Sequence, residues 1–147
     1  MTNETTRLKG RAVLTLTRPD GTTLVRRQDN LITNAGFDFI CNAIAASSRP
    51  NAMNYTALGT GTTAPAASQT KLTAELARKS AAYAHTSGTK EFTLTTTFGA
   101  GEATGAITEA GIVNGASGGT LLDRVTFAVI NKGAQDELTT KFVFTLS

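Results

Sequence analysis

The chain has little of the chemistry that most enzymes use: 147 residues include one cysteine, one histidine and no tryptophan. With Cys41 alone, no disulfide can form within the chain. A cysteine nucleophile needs a histidine base and an orienting group, and no local motif surrounds Cys41 or His85. One histidine and one cysteine also supply no metal-ligand spacing. We therefore predict a non-enzymatic protein with no catalytic residue, no metal site and no cofactor.

Long apolar runs are also missing. No run approaches the roughly 20 residues that span a bilayer, and the start, Met1–Arg7, lacks the apolar segment of a signal peptide. We expect no membrane contact, and a protein made in the cytoplasm or used inside a particle assembled there. The length suits one domain.

The net charge of +3 is spread unevenly along the chain. Residues 1–27 carry six basic side chains against two acidic ones, so the remainder of the chain is slightly acidic. A basic segment can contact an acidic protein surface or nucleic acid. Nucleic acid is the weaker interpretation, because no stacking aromatic residues are interleaved. The predicted subunit-docking residues are Arg7, Lys9, Arg11, Arg18, Arg26 and Arg27.

The first nine residues are polar and lack an apolar face. We interpret residues 1–9 as an N-terminal arm that is disordered in the free chain and becomes ordered across a neighbouring subunit. The alternative is a frayed tail on a solvated hairpin. Residues 10–147 then form the single β-sandwich domain.

Threonine is the most prominent residue type, with 27 copies beside 14 glycines. Threonine is β-branched and suits a pleated, half-wet surface, and glycine permits tight turns. This composition predicts a mainly β, sandwich or jelly-roll-like domain of about eight antiparallel strands. Residues 9–27 illustrate the pattern, since two alternating runs flank the turn sequence Pro19-Asp-Gly21.

One segment has a helical period. Phe37, Ile40, Cys41 and Ile44 follow each other at helical spacing, which predicts one packed helix over 34–46 with Thr33 as its N-cap. Cys41 is then expected to be buried as a small hydrophobe. Residues 70–77, with Leu72 and Leu76 four apart, predict one or two further helical turns. The predicted core combines the helix with the later strands: Phe37, Ile40, Phe92, Leu94, Phe98, Phe142, Phe144 and Leu146.

Four charged residues lie in or beside apolar segments: Glu75, Arg78, Glu109 and Arg124. Such side chains either point to solvent or find a partner of opposite charge. The second interpretation makes them structural ion pairs that fix strand register or contact a neighbouring subunit. The glycine-rich stretches 59–63 and 99–105 are interpreted as β-turns, because neither ends in the lysine and serine or threonine of a phosphate-binding loop.

Several of these segments come in a familiar order. Leu58–Leu72, Glu75–Arg78, Ile107–Ile112, Ser117–Arg124 and Asn131-Lys132 resemble the pattern of small tailed-bacteriophage virion proteins. The pattern is similar to that in the attachment domains of tail-fibre and collar proteins. The front half, from Asp20-Gly21 to Gly36, resembles members that consist of a single domain. The likeness spans about residues 10–146.

The resemblance implies a structural protein of the virion, assembled in the host bacterial cytoplasm, and no catalytic residue. Its favoured role is a capsid decoration, or cement, protein that docks outside the capsid and stabilises the particle. The alternative is a small tail, baseplate or fibre-attachment component; the chain has no fibre shaft, which favours decoration. The implied partners are the major capsid protein or tail and baseplate subunits, and the implied assembly is a homotrimer.

Overall fold

The computed structural model describes residues 7–147. It consists of nine strands and one helix, and every strand pair is antiparallel. This confirms the predicted mainly β sandwich with one helix; the strands number nine instead of about eight. The elements are β1 Leu8–Thr17, β2 Thr23–Ile32, α1 Asn34–Ala45, β3 Tyr55–Gly59, β4 Glu75–Ser80, β5 Ala82–His85, β6 Glu91–Phe98, β7 Gly105–Val113, β8 Leu121–Lys132 and β9 Glu137–Leu146.

The strands follow the order β4-β3-β7-β8-β2-β1-β9-β6-β5 in one sheet that folds over on itself. Strand β2 joins the two halves, because it pairs with β1 along its length but with β8 only through Leu31 and Ile32. At the far side the chain runs from β4 through Ala81 directly into β5. Strands β4 and β5 are the two edge strands of the sheet. Because one continuous stretch of chain forms both edges, the sheet is nearly closed.

The core follows the two-residue period of the strands. The first strand turns Ala12, Leu14 and Leu16 inward, and all three are fully buried. The later strands contribute Leu94, Phe98, Leu138, Phe142 and Phe144, also buried. Phe92 is half-buried and its ring stacks on that of Phe144 at 5.0 Å. The placement of Leu146 in the core was wrong: it is 46% exposed because it is the last residue of β9 and overhangs the end of the sandwich.

The helix lies where its period predicts, but a different face is buried. Thr33 is the N-cap, and its hydroxyl accepts the Gly36 amide at 2.9 Å. Gly36 approaches the Leu122 backbone so closely that a Cβ would collide with its carbonyl oxygen. This contact fixes the rotation of α1, so Phe37 is 49% exposed and Ile44 is 72% exposed. The prediction of a buried Cys41 was also wrong: its side chain is exposed.

The short helix expected over 70–77 is absent. Residues 70–74 are irregular, and strand β4 begins at Glu75. Leu72 and Leu76, whose spacing favoured a helix, have separate environments. Leu72 is buried in a small second apolar cluster with Ala57, Val113 and Leu121, whereas Leu76 is 45% exposed on the strand.

The end of the predicted N-terminal arm belongs to the sheet. Leu8 and Lys9 are part of β1 and pair with β9. Arg7 exchanges two backbone hydrogen bonds with Ser147, at 2.6 and 2.9 Å. The arm prediction was therefore wrong for residues 7–9, and its remainder lies outside the described residues.

Candidate functional site

Three of the six basic residues predicted for docking share one surface. Lys9 and Arg11 of β1 and Arg27 of β2 are exposed on the outer side of the sheet, together with Lys141 of β9. Arg27 and Lys141 lie directly on either side of Val13, two strands apart. Adjacent strands are about 4.8 Å apart, so these two residues are separated by roughly 10 Å at their Cα atoms. We call Lys9, Arg11, Arg27 and Lys141 the basic face.

The other three residues lie elsewhere. Arg7 and Arg18 flank the two ends of β1, a strand of ten residues that spans roughly 33 Å. Arg26 is half-buried on the inner side of β2, and its Nε donates to the carbonyl oxygen of Ala128 at 3.3 Å. Within the basic face, Arg11 faces Asp29 at 3.6 Å across an exposed pair. The six residues therefore do not form one docking patch.

Glu109 and Arg124 form an ion pair that is completely buried. Arg124 Nε donates to Glu109 Oε1 at 2.9 Å, and neither side chain is exposed. The two residues lie on neighbouring strands, β7 and β8, on the outer side of the sheet. Of the two interpretations offered by the sequence, the structure has the ion pair and not the solvated face.

A loop without regular structure, residues 60–74, covers this pair; we call it the cover loop. The Glu109 carboxylate accepts the backbone amides of Gly61, Thr73 and Ala74 at 2.7–2.9 Å. Arg124 Nη1 donates to the Thr63 carbonyl oxygen at 2.7 Å. The charge pair thus holds both ends of the cover loop on the sheet.

The glycine-rich start of the cover loop has a structural explanation. A Cβ on Gly61 would collide with the Thr73 hydroxyl and the Glu109 carboxylate. Glycine is required here because the backbone must approach that carboxylate closely. The anion that this glycine loop binds is the protein's own Glu109.

Hydrogen bonding decides the charge state of Glu109. Burial alone raises the pKa of this carboxyl, but four hydrogen-bond donors together outweigh the effect of burial. The donors are the backbone amides of Thr73 and Ala74, the Arg124 side chain and the backbone amide of Gly61. The net direction is a pKa below the ordinary value, so Glu109 stays ionised inside the protein.

Asp123 is a second buried carboxylate, which the sequence analysis missed. It precedes Arg124 on β8 and faces the core, where its oxygens accept the Ile112 amide at 3.0 Å and the Asn30 side-chain amide at 2.5 Å. Burial outweighs these two bonds and raises its pKa to about 7. Asn30 Oδ1 beside it is buried with no hydrogen-bond partner.

Glu75 and Arg78 form a second ion pair near the surface. Arg78 Nε and Nη2 bind both carboxylate oxygens of Glu75 at 2.8 and 2.7 Å. Arg78 Nη1 also donates to the carbonyl oxygens of Gly115 and Gly118. This pair ties strand β4 to the turn between β7 and β8.

An apolar groove opens at the end of the sandwich where β1 begins and β9 ends; we call it the end groove. It has a volume of about 530 Å³ and lies between α1, residues 49–54, β5 and β6. Fifteen of the described residues line it, and Arg49 is the one charged residue among these fifteen. Ile44, Tyr83 and Leu146 at its rim are 72%, 64% and 46% exposed.

The end groove was not predicted from the sequence, because its residues fit the core pattern. Ile44 and Leu146 obey the helical and strand periods, yet each is close to the end of its element, where nothing packs over it. Tyr83 lies on a four-residue strand that the pattern did not separate from its neighbours. Position near the end of an element was the available signal.

Comparison with known proteins gives no relative: no protein-family model, curated protein or solved structure matches the chain. In the described range, 7–147, no helix has the length and apolar character needed to cross a membrane. The same residues contain no cluster of three or more histidine, cysteine, aspartate or glutamate side chains that would hold a metal ion.

Proposed function

We propose that this protein is a non-enzymatic structural protein of a tailed-phage virion that docks on the outside of the capsid as a decoration protein. The basic face carries the proposal. It places Lys9, Arg11, Arg27 and Lys141 on three adjacent strands of a hydrogen-bonded sheet. Strands fixed in this way present their charges without reorganisation, which favours docking on an acidic protein surface.

The segments that carry the resemblance also support the proposal. Three of them meet at the buried Glu109–Arg124 pair: the cover loop, strand β7 and the start of β8. These three segments therefore belong to one structural unit of the domain. Its residues stabilise the domain, and the basic face, which lies on other strands, makes the proposed contact with other subunits.

Location on the particle tests the proposal. Particles of the phage that encodes the chain are purified, the protein is identified in them by mass spectrometry, and immunogold labelling locates it. We expect label over the head surface, in numbers that fit three-fold-related positions. Label on the tail supports the tail-component alternative, and absence of the protein from purified particles overturns both.

Charge reversal tests the docking surface. Arg27→Glu and Lys141→Glu should weaken attachment to particles that lack the protein and reduce its salt dependence, since exposed charge contacts are screened by salt. Arg18→Glu is the matched control, because it makes the same charge change in the β1–β2 turn, away from the basic face. Equal attachment by all three variants contradicts docking through this face.

A further inference from the structure

We infer that the end groove binds an extended segment of a partner protein, which adds to the open edge of β5 and inserts apolar side chains beside Arg49. This inference goes beyond the proposed function, because it assigns a second surface of different chemistry. It concerns peptide capture by the isolated chain and holds or fails independently of the virion.

The topology leaves β5 open beside the groove. Residues 75–80 pair with β3 on one side, and this pairing ends where Ala81 donates to the Asn54 carbonyl oxygen at 2.8 Å. Upstream of Asn54 the chain leaves the sheet to form one wall of the end groove. Strand β5 follows Ala81 and pairs with β6, which is its one strand partner among the described residues. Within residues 7–147, no strand pairs with this edge of β5 along its four residues.

An open strand edge recruits extended chains, because its free N–H and C=O groups bind a new strand. All four residues of β5 are exposed. Tyr83 projects to the inner side of β5, opposite Leu94, and lines the end groove. An added strand next to β5 would direct every second side chain into the same space, since side chains alternate across a strand.

The lining defines the chemistry of the occupant. The groove is almost entirely apolar, and its size falls within the range of about 300–1,000 Å³ that is typical of ligand clefts. Arg49 is exposed beside it and makes no ion pair within residues 7–147. The complementary segment has apolar residues at alternate positions and one carboxylate that reaches Arg49.

A random peptide library displayed on yeast, selected on the immobilised chain, identifies such segments. We expect selected peptides to alternate apolar residues and to include aspartate or glutamate. Ile44→Asp places a charge at the rim and should weaken a selected peptide by roughly tenfold or more. Val129→Asp is the matched control, since Val129 is 43% exposed on β8 and does not line the groove. Thermal unfolding of each variant checks that the fold is retained.

Two further measurements examine the binding mode. Arg49→Glu should reverse the preference from acidic to basic peptides. Amide hydrogen exchange at Ala82–His85 should slow when a selected peptide binds, because β5 gains a ladder partner. The inference is overturned if Ile44→Asp and Val129→Asp bind selected peptides equally, if the bound peptide is helical with β5 exchange unchanged, or if light scattering shows a dimer that Ile44→Asp dissolves. The last result would assign the groove to a second copy of the chain.

Discussion

Glu109 and Asp123 lie on adjacent strands, and neither is exposed to solvent, yet their pKa values move in opposite directions. Glu109 faces the cover loop and receives three backbone amides and the guanidinium of Arg124. Asp123 faces the core and receives one backbone amide and the side chain of Asn30. Although neither carboxylate reaches the surface, Glu109 stays ionised and the pKa of Asp123 is raised to about 7.

The difference shows what a buried carboxylate requires. Burial disfavours the charged form at both sites, and more strongly at Asp123, which lies inside the core, than at Glu109, which lies beneath a loop. Glu109 also has more donors than Asp123, and one of them is charged. The three amide donors of Glu109 come from a loop that has no regular structure of its own. The carboxylate and the loop thus stabilise each other, whereas the donors of Asp123 come from strands β7 and β2 of the sheet.

The largest effect is expected at Glu109. Glu109→Gln leaves Arg124 buried without its counter-charge and should lower the free energy of unfolding by about 3–5 kcal/mol. Chemical denaturation measures this loss, and proteolysis within residues 60–74 should accelerate at the same time. Glu91→Gln, which alters an exposed carboxylate, is the control. A loss below about 1 kcal/mol, the size typical of an exposed pair, would contradict a role in holding the cover loop.

The second prediction concerns Asp123 and pH. The pKa of Asp123 is raised to about 7 in the folded state from an ordinary value of 3.8, so the folded chain keeps a proton that the unfolded chain loses. Its contribution to stability is complete below pH 3.8 and is lost as the pH rises to about 7, by up to roughly 4 kcal/mol. Glu109 has the opposite sign: its contribution is lost as the pH falls through its lowered pKa.

Asp123→Asn isolates that contribution. An asparagine amide can donate to Asn30 Oδ1, the buried oxygen that has no partner, after rotation of the Asn30 side chain. We expect the variant to gain stability relative to the wild type between pH 4 and pH 8, measured as the difference in free energy of unfolding at each pH. A difference that is constant over this range would show that Asp123 has no raised pKa.

The sequence was sufficient for features that depend on local periods. Alternation placed Leu94 and Phe142 in the core, and the N-cap position of Thr33 follows from one residue and the helix behind it. It was insufficient where two distant segments decide the outcome. The exposure of Ile44 depends on how closely Gly36 meets β8, and the burial of Asp123 depends on Asn30, 93 residues away.

The candidate surfaces also combine features that a local pattern predicts with features that depend on distant segments. Charge composition identified the basic residues, but only the strand register decides that Lys9, Arg11 and Arg27 share a face while Arg26 turns inward. Lys141 joined them from the other end of the chain, which no local pattern predicts. The end groove arises because residues 49–54 lie outside the sheet and line the groove together with α1.

The smallest effect is expected at Glu75. Its ion pair with Arg78 lies near the surface and can be compared with the buried Glu109–Arg124 pair. The side chains of Arg78 and Glu75 are 12% and 31% exposed, so solvent screens their attraction. Glu75→Gln should cost about 0.2–1 kcal/mol in the free energy of unfolding, and added salt should reduce the difference. Arg78→Ala should cost more, because it also removes the two hydrogen bonds to the Gly115 and Gly118 carbonyl oxygens. Denaturation of both variants at low and high salt separates charge from hydrogen bonding. If Glu75→Gln costs as much as Glu109→Gln, burial is not what makes the inner pair strong, and the contrast between the two pairs fails.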